Sequence, residues 1–410
     1  MKLRDDAQRI FDAAITAALP DTAVKKALEG EDFSGGRLVL VAIGKAAWSM
    51  TKAACDFLGD RIDDGVVITK YDHSKGDLPR IRIFEAGHPV PDANSFEATE
   101  TAIQLVSGLS EKDKVLFLIS GGGSALFEKP LISTEMLENL TKQLLASGAN
   151  IVEMNTIRKR LSAVKGGKFA KLCEPAKVFS VVLSDIIGDP LDMIASGPAY
   201  PDSSTSEQAL GIIRKYNLTI PKEIEELLRI ESPSTLSNVS TKITGSVTQL
   251  CITAEKICRE MGYEPVILTA SLSCEARDAG SFLASIAKYH ENTEKSLAFI
   301  AGGETVVHLK GTGKGGRNQE LALSAAIGIE GLKDTAVFSV GSDGTDGPTD
   351  AAGGYVDGNT KKMLADKGID LEGMLDNNDA YHALQACDGL IVTGPTGTNV
   401  NDLSVLLIRR

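Results

Sequence analysis

Short apolar runs alternate with longer mixed segments along most of this chain. RLVLVAIG (37–44) is almost wholly apolar, and GVVITK (65–70), IRIFEA (81–86), KVLFLIS (114–120) and KVFSVVLS (177–184) repeat the theme. Runs of this length, rich in Val and Ile, predict buried β-strands. Between them, near 93–107, 134–147 and 150–173, apolar residues fall at helical spacing. Ile10, Phe11, Ala14, Ile15 and Ala18 share one face of a further helix over 5–19. Strands alternating with helices predict a largely parallel, doubly wound sheet.

The pattern breaks at IESPSTLSNVSTKITG (230–245), where Ser, Thr and Pro accumulate. A boundary here predicts one domain over 1–235 and a second over 236–410. Alternation then resumes, with strands expected at SVTQLCIT (246–253), PVILTA (265–270), SLAFIAGGET (296–305) and TAVFSVGSDG (335–344), and helices at 254–262, 275–289 and 318–329. The expected architecture is two α/β domains with an active site in the cleft between them.

Composition changes this picture little and narrows the function. The 410 residues, 43% hydrophobic and 24% charged, are ordinary for a soluble globular protein. A net charge of −12 without a basic block argues against nucleic acid or an anionic membrane as partner. The six cysteines are scattered without CxxC pairs, which points to reduced thiols rather than disulfides or zinc. The charged start MKLRDDAQRI lacks the apolar core of a signal peptide, and no apolar run reaches the roughly 18 residues of a spanning helix. The expected setting is cytoplasmic.

In such sheets ligands gather beyond the carboxyl ends of strands, and here the strand ends carry chemistry. Gly44 and Lys45 follow the first strand, a pairing that suits a phosphate. The same stretch, GKAAWS, is a degraded dinucleotide fingerprint with Ala46 and Ser49 in two glycine places. Ser120, Gly121, Gly122, Gly123 and Ser124 follow KVLFLI; so many glycines admit close approach to the backbone. DIIGDPLDMIASGP follows KVFSVVLS with Asp185, Asp189 and Asp192, which could hold Mg2+, accept a hydroxyl proton or cap a turn.

GGETVVHLKGTGKGGRNQELAL (302–323) gathers Glu304, Lys314, Gly316, Arg317 and Asn318 around a helix start, a pattern that fits an anion site. GSDGTDGPTDAAGG (341–354) adds Asp343, Asp346 and Asp350 without an EF-hand pattern. TGPTGTNVNDL (393–403) supplies small and amide side chains. On helical sequence, Asn155, Arg158 and Lys165 either clamp a carboxylate or form a solvated basic face. The five histidines show no ligand spacing and read as structural, and Ser124 lacks the GxSxG elbow of a hydrolase. Glycines, cations for anionic oxygens and acids for a metal are the parts of phosphoryl transfer.

SGGGSALF (120–127), NTIRKRLSAVKGGKFA (155–170), SDIIGDPLDMIASGP (184–198), GKGGRNQELAL (313–323) and GSDGTDGPTDAAGG together resemble the type-2 glycerate kinases. That family combines an N-terminal Rossmann-like domain with a C-terminal MOFRL domain, and the match runs in order along the whole chain. The resemblance implies ATP- and Mg2+-dependent phosphorylation of D-glycerate to 2-phosphoglycerate. It implies Lys45, Asp185 and Arg317 as catalytic residues, with Asp185 as base and the two cations stabilising the transferring phosphoryl group. Beside it, the loops nominate Asp189, Asp343 and Asp346 for the metal, and Gly44, Ser120–Ser124, Asn155, Arg158, Lys165, Glu304, Lys314, Gly316 and Asn318 for substrate or nucleotide. Small-molecule substrates are the expected partners, and a homodimer is compatible with them. The alternative is a hydroxypyruvate reductase using NAD(P)H, a label attached to some members of the family.

Overall fold

The computed structural model describes every residue except Met1, Asp185, Ile187 and Asp189. Two compact units emerge. One is built on Ala23–Ser184 and the chain that runs on to Thr244; the other is built on Gly245–Arg410 together with the helix Lys2–Ala18.

The first unit holds strands β1 (Leu38–Ile43), β2 (Asp64–Lys70), β3 (Ile81–Ala86), β4 (Lys114–Ile119), β5 (Lys177–Leu183) and β6 (Val239–Gly245) in the order β3-β2-β1-β4-β5-β6. The pairs β1/β2, β1/β4, β2/β3 and β4/β5 are parallel. Every residue of β1 is buried, because helices cover both faces of such a sheet and select apolar residues at each position. One face packs Leu40, Leu116 and Val181 against Met50, Ala53 and Ala54 of the helix Ala47–Leu58. Phe117, Phe127 and Phe169 form an aromatic cluster, with the Phe127 and Phe169 rings edge to face 5.0 Å apart. This strand order reverses direction between β1 and β4, so the loops at their carboxyl ends diverge and leave a crevice.

The second unit is less regular than the alternation predicts. Strands β7 (Glu264–Leu272), β8 (Leu297–Gly303), β9 (Thr335–Gly341), β10 (Gly353–Asp357), β11 (Leu390–Ile391) and β12 (Asp402–Ile408) form a mixed sheet, β11-β10-β9-β12-β8-β7. Only β7/β8 pair in parallel; β12 inserts antiparallel between β8 and β9. The helices Ala276–Tyr289 and Arg317–Gly328 cover one face. The helix Lys2–Ala18 covers the other, burying Ile10, Ala14 and Ile15, with Phe11 edge-on to Phe338 at 5.9 Å.

Three local expectations fail for identifiable reasons. SVTQLCIT is helical, within Val247–Glu260: Ser246 caps it by accepting from Gln249 N, and Val247, Leu250, Cys251 and Ala254 bury at helical spacing. The helix over 150–173 breaks into Ile151–Arg160 and Lys168–Leu172, because Gly166 and Gly167 adopt left-handed conformations between them. The Ser/Thr-rich boundary segment contains β6.

Candidate active site

In the first unit, the ends of β1 and β4 lie side by side, with Ile43 paired to Ile119. Lys45 N donates to Gly121 O at 2.9 Å, and Ser120 Oγ accepts from Ala46 N at 3.0 Å. Ser120 is therefore a buried tie between the two loops rather than a free hydroxyl. Gly44, at φ +112°, is required here: a Cβ would stand 2.3 Å from Ser120 Oγ. The Lys45 carbonyl oxygen lies 3.1 Å from His73 Nδ1. The Lys45 side chain is exposed, and among the described residues its ammonium has no hydrogen-bond or ion-pair partner.

Gly122 adopts a left-handed φ of 86°, and among the described residues nothing accepts from the N–H groups of Gly121, Gly122 or Gly123. A Cβ at Gly122 would meet His88 at 3.1 Å and Lys45 Cγ at 3.2 Å. Ser124 Oγ lies 3.0 Å from Ser196 Oγ, which donates to Asn155 Oδ1 at 3.1 Å. Ala195, Ser196 and Gly197 are consecutive left-handed residues, a costly geometry for two side-chain-bearing positions.

The basic block 155–170 divides. Lys165 departs from both expected roles: it is fully buried, paired to Glu128 Oε2 at 2.5 Å and donating to Phe127 O at 3.1 Å, which leaves no surface for a ligand. Its neighbours Lys159 and Arg160 are also buried, on Asp202. Asp192 accepts from Lys159 and Ser203. Arg158 is half-buried and, among the described residues, unpaired. Asp185 and Asp189 lie outside the described residues.

In the second unit, Gly316 is the N-cap residue of the helix Arg317–Gly328. Arg317 Nε and Nη2 donate to the two oxygens of Asp402 at 2.6 and 3.1 Å, and Nη1 donates to Glu304 at 2.9 Å. These carboxylates hold the guanidinium well above its ordinary pKa against the opposing effect of burial. Asp402 is buried, and that burial raises its own pKa while Arg317 opposes the rise. Lys314 Nζ sits 3.9 Å from the centre of the Tyr381 ring.

Asp346, expected in the metal set, is tied into the protein's own hydrogen bonds. It is buried, and its oxygens accept from Asn318 N at 3.1 Å and Gln319 N at 2.9 Å, capping the helix. Burial pushes its pKa up to about 6. Asn318, expected to bind substrate, is likewise buried between Asp346 and Ser339. Asp343 is half-buried, with Oδ1 accepting from Thr345 N and Oδ2 unpartnered among the described residues. Among the described residues, no group of three or more His, Cys, Asp or Glu is placed to hold a metal ion.

Comparison with known proteins now decides the family. A domain of unknown function (DUF4147) matches residues 6–229, and the MOFRL family matches residues 297–402. The D-glycerate 2-kinase of Thermotoga maritima is 52% identical over 99% of this chain and 98% of that protein. The chain belongs to the glycerate 2-kinase family. The glycerate 2-kinase of Pyrococcus horikoshii is 41% identical over the full chain and 98% of its own length. A putative hydroxypyruvate reductase of Agrobacterium vitis is 40% identical over 91% of this chain and all of that protein. The crystal structure of the Thermotoga maritima glycerate kinase superposes with a TM-score of 0.94, covering both chains completely.

Within this glycerate 2-kinase family fold, two residues stand beside the candidate groups without a signal in the sequence. Asp402 is the first residue of β12, where TGPTGTNVNDL shows a single acid among small and amide side chains. His88 reads as structural in the sequence, because a lone histidine carries no spacing signal.

Proposed function

We propose that this chain transfers the γ-phosphoryl group of ATP to the 2-hydroxyl of D-glycerate, releasing 2-phosphoglycerate and ADP. The observation that carries the reading is a lysine at the β1/β4 reversal whose ammonium has no partner among the described residues, in a chain so similar to a D-glycerate 2-kinase over its full length. Phosphoryl transfer asks chiefly for positioning and for positive charge on the migrating group. In this reading Lys45 and Arg317 supply that charge. Asp185, assigned by the family resemblance, accepts the proton of the attacking hydroxyl. The N–H groups of Gly121 to Gly123, without acceptors among the described residues, receive an anionic oxygen, and Arg158 takes the carboxylate. Glu304 occupies Nη1 of Arg317, so a phosphoryl oxygen reaching that edge displaces it.

A Mg2+ ion here would need hard oxygen ligands, usually one or two carboxylates alongside phosphates and waters. Asp343 fits best, with one oxygen unpartnered among the described residues, whereas Asp346 is buried and holds the helix start with both oxygens. When bound, the ion would neutralise phosphate charge. A cytoplasmic setting belongs to the same reading, since all six cysteines are free.

The reductase name of one relative keeps a second reading in play. It would use the same strand order, but the loop after β1 has Ala46 and Ser49 where close approach of a pyrophosphate calls for glycine. Two assays separate them: ADP release that depends on D-glycerate, and NADH oxidation with hydroxypyruvate. The kinase reading expects the first and no absorbance loss in the second; the reverse result overturns it.

A further inference from the structure

His88 stands in the loop after β3, an edge strand two places from β1 in the sheet. That loop nevertheless brings the imidazole over Gly122: from the point where a Gly122 Cβ would lie, His88 Cδ2 and Nε2 are each 3.1 Å away and Lys45 Cγ is 3.2 Å away. The ring and the lysine stem therefore border one small space, kept open by the missing side chain at Gly122. A structural histidine normally spends its ring nitrogens on neighbours. His88 does not: it is half-buried, and among the described residues it has no hydrogen-bond partner.

The surroundings favour an anion. Burial, then Lys45, Lys70 and His73, lower the His88 pKa, so near neutral pH the ring is uncharged with one N–H to donate. Nearby acids are engaged elsewhere. Glu85 accepts from Ser74 N, and Asp92 accepts from the Tyr71 hydroxyl and from Ser95.

We infer that His88 is a substrate-binding residue that, with Lys45, receives an anionic oxygen over Gly122. This rests on the kinase reading, which offers two sources of such an oxygen: the carboxylate of the hydroxy acid and a phosphate of the nucleotide.

Steady-state kinetics of His88→Ala and His88→Gln test it, alongside thermal melts and calorimetric titrations of D-glycerate and of ATP. Loss of a hydrogen bond to a charged group is worth about tenfold or more. His88→Ala should raise one KM by that factor with little change in kcat, and His88→Gln, which keeps an N–H donor, should recover most of it. A rise confined to D-glycerate assigns the carboxylate; a rise confined to ATP assigns the phosphate. Unchanged constants for both ligands overturn the inference, whatever happens to the melting temperature. The two readings fail separately: a wild-type protein that releases no ADP sinks the kinase assignment, while calorimetry still reports whether His88→Ala weakens binding of either anion.

Discussion

Arg317 shows what a single residue's surroundings add to its identity. Its helix-start position was legible as an anion site, but its partners Asp402 and Glu304 lie 85 and 13 residues away, beyond any local pattern. Arg317→Ala is expected to cut kcat by about 10³-fold or more, the scale of an arginine that stabilises a transferring phosphoryl group. A loss below tenfold would place it outside the chemistry. Asp402→Asn keeps the shape but removes the charge that fixes the guanidinium; kcat should fall while the KM for D-glycerate holds. Asp346 makes a different point. Its folded pKa, near 6, lies above the ordinary carboxylate value, so the folded state holds that proton more tightly. Its contribution to stability is fully present below about pH 4 and is lost as pH rises to about 6. Asp346→Asn removes that dependence and turns an amide toward a backbone donor, costing on the order of 1–3 kcal/mol. Urea denaturation should show the widest gap between the two proteins at the acid end, narrowing toward pH 6. A gap that widened with pH would contradict the raised pKa.

At the scale of elements, the apolar runs located β1 to β5 because strands buried on both faces leave a plain signal. SVTQLCIT misled because its β-branched residues outweighed a helical burial period. The basic block 155–170 was legible as unusual but not as buried. Whether Lys165 faces solvent depends on Glu128, which arrives from 37 residues earlier in the chain. The structure makes that pair part of the core, so Lys165→Met should destabilise by about 3–5 kcal/mol by leaving Glu128 buried without its counter-ion. The double variant Lys165→Met with Glu128→Leu should recover much of the loss. Chemical denaturation that found the single variant as stable as wild type would return Lys165 to the ligand-binding candidates.

At the scale of the whole molecule, sequence position suggested that the opening helix belongs with the residues that follow it. Its apolar face instead closes the sheet of the second unit, through contacts almost the full length of the chain apart. Ile10→Ala should therefore cost about 2–5 kcal/mol and lower hydrogen-exchange protection in β8, β9 and β12 while leaving β1, β4 and β5 protected. The opposite pattern would contradict the packing. Two α/β units and the glycine-rich strand ends were readable from local pattern; the antiparallel insertion of β12 was not, because strand direction is fixed by tertiary pairing. The central claim concerns the reaction, and phosphorus NMR of the product after incubation with D-glycerate, ATP and Mg2+ tests it most directly. The account expects ADP and 2-phosphoglycerate. A 3-phosphoglycerate signal would contradict the proposed attacking hydroxyl, and intact ATP with folded protein would contradict the kinase itself.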